Sequence, residues 1–210
     1  VIFVVGLPCS GAADVIASLA AHSEVGLGDG SPQLVNVIQE ESARRNAEFP
    51  QWVHAATADD WQRLGRRYLA VTTAWRRNGS HHVDIALGNW PFLGAALPML
   101  PGAHVIDCRR DALDAGWACW RQLFMPGRDL YAYAFDDIAR HRHDYECVLQ
   151  FWQARHPQAI QCQEFEGLLT HRAASIRAVL DFCDLRFEPD CVSARSDADR
   201  GSAYATAEAY

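Results

Sequence analysis

Two groups of residues in this 210-residue chain have the types and spacing that binding or transferring an anionic group requires. The first is Gly6-Leu-Pro8-Cys9-Ser10-Gly11-Ala12-Ala13, which follows the apolar, β-branched run Val1-Ile-Phe-Val-Val5 and opens a stretch of helical character. Glycines at both ends of such a turn let backbone N–H groups wrap an anion at a helix N-terminus. The Lys and Ser/Thr that would complete a phosphate loop of the ATPase or GTPase kind are replaced by Ala12 and Ala13. Hydrolysis of a nucleoside triphosphate then lacks both its cation and its magnesium-binding hydroxyl. A tight strand–helix turn that binds nothing is the competing reading. The second group is Val105-Ile-Asp-Cys-Arg109-Arg110-Asp111-Ala-Leu-Asp114, a strand ending in two arginines. Open α/β sheets bind ligands at the carboxyl edge of their strands, and a guanidinium placed there suits a bidentate phosphate contact. Its competing reading is a salt bridge from these arginines to Asp111 or Asp114 at the entry of a helix.

Composition narrows the partners. All nineteen basic residues are arginine, so lysine is unavailable as phosphate ligand or catalytic acid. A net charge of −7 argues against a nucleic acid or an anionic membrane as partner. No apolar run reaches the length of a membrane span, and no charged leader with a cleavage site is visible, so a cytoplasmic location is expected. The seven cysteines contain no C-x-x-C spacing and read as reduced thiols, with no metal expected. His141 and His143 stand two apart on a helix and do not share a face. His81-His82 is expected to mark the exposed edge of a strand. Ser10 lies in Pro-Cys-Ser-Gly and lacks the G-x-S-x-G context of a nucleophile elbow. Cys9, in a loop before a helix, stands where a thiol can have a lowered pKa. Trp117, Trp120 and Trp152, at helical positions, are expected to pack in the core.

The elements that would position these residues alternate along the chain. Helical periodicity covers Ala12–Ala21, Pro32–Arg45 and Ala58–Arg77, the last with an apolar stripe of Trp61, Leu64, Tyr68, Leu69 and Thr72. His82–Leu87 reads as a strand, Phe92–Leu100 as a short helix and Ala103–Cys108 as a strand. Helices follow at Asp111–Leu123 and Phe135–Arg155, then a strand at Ala159–Gln163, then a helix capped by Thr170 and running to about Cys183. From Glu188 onward the chain reads as irregular. The order βαβααβαβααβα implies an α/β domain of three layers, a mostly parallel sheet with helices on both faces. Residues 1–210 read as one domain, and a start at Val1 suggests a segment of a longer chain.

Taken in order, several stretches carry a resemblance. Pro8-Cys-Ser-Gly-Ala-Ala13 parallels P-R-S-G-T-T; His22-Ser-Glu-Val25 with Gly28-Asp29-Gly30 parallels H-P-x-V with G-E-L-P. Asp84-Ile-Ala-Leu-Gly-Asn89-Trp-Pro-Phe-Leu-Gly94 parallels D-K-x-P-x-N-F-x-x-L-G, and Cys108-Arg-Arg-Asp-Ala-Leu-Asp114 with Ala118-Cys-Trp-Arg-Gln122 parallels C-R-R-D-P-x-D with S-C-Y-x-Q. Gln163–Leu169 and Leu180–Leu185 continue the series against R-Y-E-D-L-V and L-D-F-C-G-L. These motifs resemble the sulfotransferase family, in its bacterial branch related to tyrosylprotein sulfotransferases and often joined to tetratricopeptide repeats.

The resemblance implies a fold like that of the P-loop nucleotide hydrolases. It also implies metal-free transfer of a sulfuryl group from 3′-phosphoadenosine 5′-phosphosulfate (PAPS) to a hydroxyl acceptor, and an upstream repeat domain in the natural chain. Carried over by position, Pro8, Cys9, Ser10, Gly11, Ala12 and Ala13 would hold the 5′-phosphosulfate. Arg110 and Ala118 would face the 3′-phosphate, and Asp29 would be the general base. The departures are concentrated in donor ligands: Cys9 replaces the loop cation, Ala12 and Ala13 the hydroxyls, Ile85 a lysine, and Ala118 the serine that partners Arg110. Each lost charge-assisted contact costs about 1.5–3 kcal/mol, unless Arg109, Arg121, Arg195 or Arg200 substitutes. Asp29 can serve as base or simply as the turn residue of Gly28-Asp-Gly30. Two readings therefore stand: a sulfotransferase with impaired donor binding, or an inactive pseudo-sulfotransferase kept as a binding or scaffold domain. The acceptor, whether peptide tyrosine, carbohydrate or small alcohol, is open.

Overall fold

The computed structural model describes residues 1–76, 81–124 and 129–196. Five strands form one parallel sheet in the order β2-β3-β1-β4-β5, with β1 Ile2–Gly6, β2 Val25–Leu27, β3 His81–Asp84, β4 His104–Arg109 and β5 Ile160–Glu164. β1 is buried throughout, as an unbroken apolar run in a sheet covered on both faces should be. Its side chains alternate between two cores. Phe3 and Val5 face a cluster with helices α2 (Gln33–Arg45), α3 (Ala58–Val71), α4 (Leu93–Met99) and α6 (Phe135–Arg155). Ile2 and Val4 face a second cluster with α1 (Ala12–Ala20), α8 (Arg172–Phe182) and α9 (Pro189–Ser193). The expected three-layer α/β architecture is therefore what the chain forms. β1 lies between β3 and β4, and the loops leaving β1 and β4 meet at the carboxyl edge, the usual place for a ligand.

Local signals explain several boundaries. Thr57 starts α3 through a capping box with Asp60: the Thr57 hydroxyl accepts from the Asp60 amide at 3.3 Å, and the Asp60 carboxylate accepts from the Thr57 amide at 3.0 Å. The expected stripe of α3 faces inward, with Leu64, Tyr68 and Thr72 buried. Asp111 caps α5 (Ala112–Trp120), its Oδ1 accepting from the amides of Leu113 and Asp114 at 2.9 and 3.1 Å.

Four expectations are corrected. Thr170 ends α7 (Phe165–Thr170), donating its hydroxyl back to the Glu166 carbonyl, and α8 begins after His171. The chain after Glu188 is not wholly irregular: Pro189 opens α9, whose Cys191 is fully buried. His81-His82 lies inside β3, between β2 and β1, with His82 buried and its pKa lowered to about 4, chiefly by that burial. Trp152 packs against the core as expected, but Trp117 and Trp120 do not. They are half exposed and stack with Phe135 at centroid distances of 5.3–6.3 Å. The buried side of α5 is made by Ala115 and Cys119. Arg77 and Arg200 lie outside the described residues.

Candidate anion-binding site

The loop after β1 is shaped by two glycines. A Cβ on Gly6 would stand 2.5 Å from the Ser10 hydroxyl and 3.1 Å from the Cys108 carbonyl, so only glycine lets Ser10 fold back against the strand end. Gly11 has φ 86 and carries the Phe165 ring so closely that a Cβ would lie 2.4 Å from its Cδ2. Cys9 also takes a left-handed conformation, φ 63, which non-glycine residues rarely adopt. Its thiol donates to Gln122 Oε1 at 3.4 Å. Among the described residues no side chain caps the start of α1; the Asp14 amide donates to the Gly11 carbonyl at 3.1 Å, and the amides of Ala12 and Ala13 precede it in the first turn.

The two arginines of β4 separate. Asp107 and Arg109 share one face by the alternation of the strand, and Arg109 pairs with the Asp107 carboxylate at 2.7 Å. Tyr145 of α6 donates to the other oxygen of that carboxylate. Burial raises the Asp107 pKa, although the Arg109 and Tyr145 hydrogen bonds oppose it. Arg110 turns the other way and lies over the Phe165 ring at 4.8 Å. The same ring therefore braces Gly11 of one loop and Arg110 of the other. Asp111 forms a helix cap rather than a salt bridge to these arginines, and its own amide donates to Glu166 at 3.0 Å.

Ser10 and Arg110 come together in a narrow cleft whose walls also include Arg109, Arg142, Tyr145 and Glu146. The Ser10 hydroxyl and the Arg110 Nε are both buried, and neither has a hydrogen-bond partner among the described residues. Buried donors are rarely left this way, and two of them in one cleft at a carboxyl edge suit phosphate oxygens. Arg142 escaped the sequence reading. Its one signal was the helical spacing to Glu146, and nothing in the sequence connects it with Arg110.

The other predicted residues are distributed around this cleft. Pro8, Cys9, Gly11, Ala12 and Ala13 form the loop and the start of α1, with Ala12 fully buried and Ala13 half buried. Ala118 lies one helical turn beyond Ala115, which lines the cleft. Asp29 follows β2, three strand spacings from β4, roughly 14 Å across the sheet. It is an exposed turn residue whose Oδ1 accepts the Ser31 hydroxyl at 2.5 Å and the Ser31 amide at 2.9 Å. The Ser31 hydroxyl is the main reason its pKa is lowered. Arg121 and Arg195 are exposed, and Arg109 is paired with Asp107. No group of three or more metal-ligating side chains occurs among the described residues.

A model of the sulfotransferase family matches residues 2–189, nearly the whole chain. The chain belongs to the sulfotransferase family. Solved sulfotransferases share its fold at low identity. STF9 of Mycobacterium avium superposes with a TM-score of 0.56 at 13% identity, over 91% of this chain and 65% of that one. STF1 of Mycobacterium tuberculosis H37Rv gives 0.55 at 15%, over 96% and 73%. A sulfotransferase of Alicyclobacillus acidocaldarius gives 0.51 at 14%, over 90% and 87%. An uncharacterized protein of Aquifex aeolicus (strain VF5) is 28% identical over 195 residues, 89% of this chain. This sulfotransferase domain spans 26% of that relative's length. Among its described residues no helix is long and apolar enough to cross a membrane.

Proposed function

We propose that this domain binds a 3′-phosphoadenosine nucleotide at the carboxyl edge of β1 and β4, and that it transfers sulfuryl groups from PAPS only weakly. The observation that carries the reading is the pair of buried, unpartnered donors, Ser10 Oγ and Arg110 Nε, in one cleft. PAPS, when bound, supplies the activated sulfuryl group. The chain supplies Arg110 toward phosphate, the amides at the start of α1, and the Ser10 hydroxyl. Ala12 and Ala13 offer only their amides, and Cys9 offers a thiol already bonded to Gln122. Binding energy is thus retained toward the nucleotide and reduced toward the group that would be transferred, which lowers the transfer rate more than affinity for the desulfated product.

The second reading, a family domain that binds without catalysing, is favoured by Asp29. A carboxylate whose pKa is lowered by the Ser31 hydroxyl is a weaker proton acceptor for a substrate hydroxyl. A calorimetric titration with adenosine 3′,5′-bisphosphate, the desulfated product, tests the nucleotide reading. Binding in the low micromolar range is expected, and no binding at millimolar nucleotide overturns it. With binding established, release of the desulfated nucleotide from PAPS in the presence of phenolic, carbohydrate and alcohol acceptors separates weak transfer from none.

A further inference from the structure

We propose that Arg142 is a nucleotide-binding cation of this domain, directed with Arg110 at the 3′-phosphate, where Ala118 has removed the hydroxyl the family resemblance would place. The inference rests on the nucleotide reading above and adds to it a residue from a different element. Arg142 sits on α6, and its side chain lines the same cleft as Ser10 and Arg110. Its Nη1 donates to the carbonyl of Arg110 itself at 3.0 Å, across 32 residues of sequence. Its Nε donates to Glu146 Oε1 at 2.8 Å, one turn along the helix. These two bonds hold the guanidinium at the β4–α5 turn and use two of its five N–H donors.

Charge supports the same assignment. Around the cleft, Arg109 is balanced by Asp107 and Arg142 faces Glu146, while Arg110 has an aromatic ring and no carboxylate within ion-pair distance among the described residues. The Asp111 carboxylate also feels the charge of Arg142, so what sets the cleft apart is Arg110 without an ion-pair partner, together with two buried donors that lack partners. A phosphate dianion between Arg110 and Arg142 accepts from both kinds of donor and pairs with the Arg110 charge, whereas a neutral acceptor uses the donors alone. Because Arg142 is anchored through a main-chain carbonyl, its position does not depend on the side chain of Arg110. The pair is therefore fixed before any ligand arrives, which reduces the ordering cost of binding.

The test compares the chain with its Arg142→Gln and Arg142→Lys variants. Each is titrated calorimetrically with adenosine 3′,5′-bisphosphate and with adenosine 5′-phosphate, which lacks the 3′-phosphate. R142Q is expected to weaken the bisphosphate at least tenfold and leave the monophosphate within twofold; R142K, which keeps the charge but not the planar fork of donors, is expected to fall between. Equal weakening of both nucleotides, or of neither, overturns the assignment while leaving the nucleotide reading intact. If the unaltered chain binds no nucleotide, the nucleotide reading fails and inorganic sulfate becomes the probe, read by thermal shift. Stabilisation by sulfate that R142Q abolishes then upholds Arg142 as an anion-binding cation; stabilisation shared by both proteins, or absent from both, overturns it. Should R142Q not fold, R142K is read against the same outcomes.

Discussion

Asp84 offers a pH-dependent test of the packing behind the site. It ends β3 with no exposure, its Oδ2 accepting from the Tyr68 hydroxyl at 2.8 Å and its Oδ1 from the Ala86 amide at 3.0 Å. Burial raises its pKa from 3.8 to about 6, with the nearby charge of Asp29 adding to the effect. The folded protein then holds this proton more tightly than the unfolded chain does. Asp84 therefore contributes its full share of stability below pH 3.8 and loses it as the pH rises through about 6. The total is about 3 kcal/mol, of which roughly 2 kcal/mol is lost between about pH 4.5 and 7. Asp84→Asn abolishes the titration. It also turns one acceptor into a donor facing Tyr68 or Ala86, a pH-independent cost of about 1–3 kcal/mol. Urea unfolding of both proteins from about pH 4.5 to 7.5 separates the two effects, because only the titration changes the gap between the curves. The variant should gain about 2 kcal/mol on the unaltered chain over that range. Parallel curves would refute the assignment of a raised pKa to buried Asp84.

Gly11→Ala should destabilise the domain by about 2–4 kcal/mol in urea, from a Cβ at positive φ and a collision with Phe165. Phe165→Leu in the same chain should recover the steric part only, and a change under about 0.5 kcal/mol would count against the brace. Arg172, buried beside α1, donates to the Val192 carbonyl at 2.9 Å, to the Ala194 carbonyl and to Ser18 Oγ at 3.1 Å, pinning the end of α9. Arg172→Ala should raise the rate at which a thiol reagent labels Cys191, resolved by mass spectrometry, while labelling of exposed Cys147 stays constant; an unchanged Cys191 rate would mean that α9 is held by its apolar contacts alone.

The elements that were legible in the sequence are those whose pattern is a local consequence of burial. Val1–Val5 is continuous and apolar because β1 is covered on both faces, and Phe135–Arg155 is long enough for its period to be plain. Val25–Leu27 is too short to show a pattern, and its burial is supplied by neighbours distant in sequence. Trp117 and Trp120 illustrate a different limit. Their spacing puts them on one face of a helix, but the small residues Ala115 and Cys119 make the inward face, which periodicity alone does not reveal. Both glycines of the loop were legible because each answers a backbone demand. The division of labour between Arg109 and Arg110 was not read from the sequence: Arg109 pairs with Asp107 of its own strand, and the ring under Arg110 comes from another element. Arg142 was illegible because its anchor is a main-chain carbonyl, and any residue at position 110 would provide one.

The Phe165 brace has a consequence for redesign. Loop shape at residues 6–11 is fixed by glycine geometry, an aromatic ring and the sheet, none of which belongs to the side chains that would touch a donor. Introducing hydroxyls at the two alanines of the loop is therefore unequal work. Ala13 is half buried, whereas Ala12, fully enclosed by the core, requires its neighbours to be recut. A library that varies Cys9, Ala13 and Ala118 while keeping Gly6, Gly11 and Phe165 would leave unchanged the three residues that shape the loop.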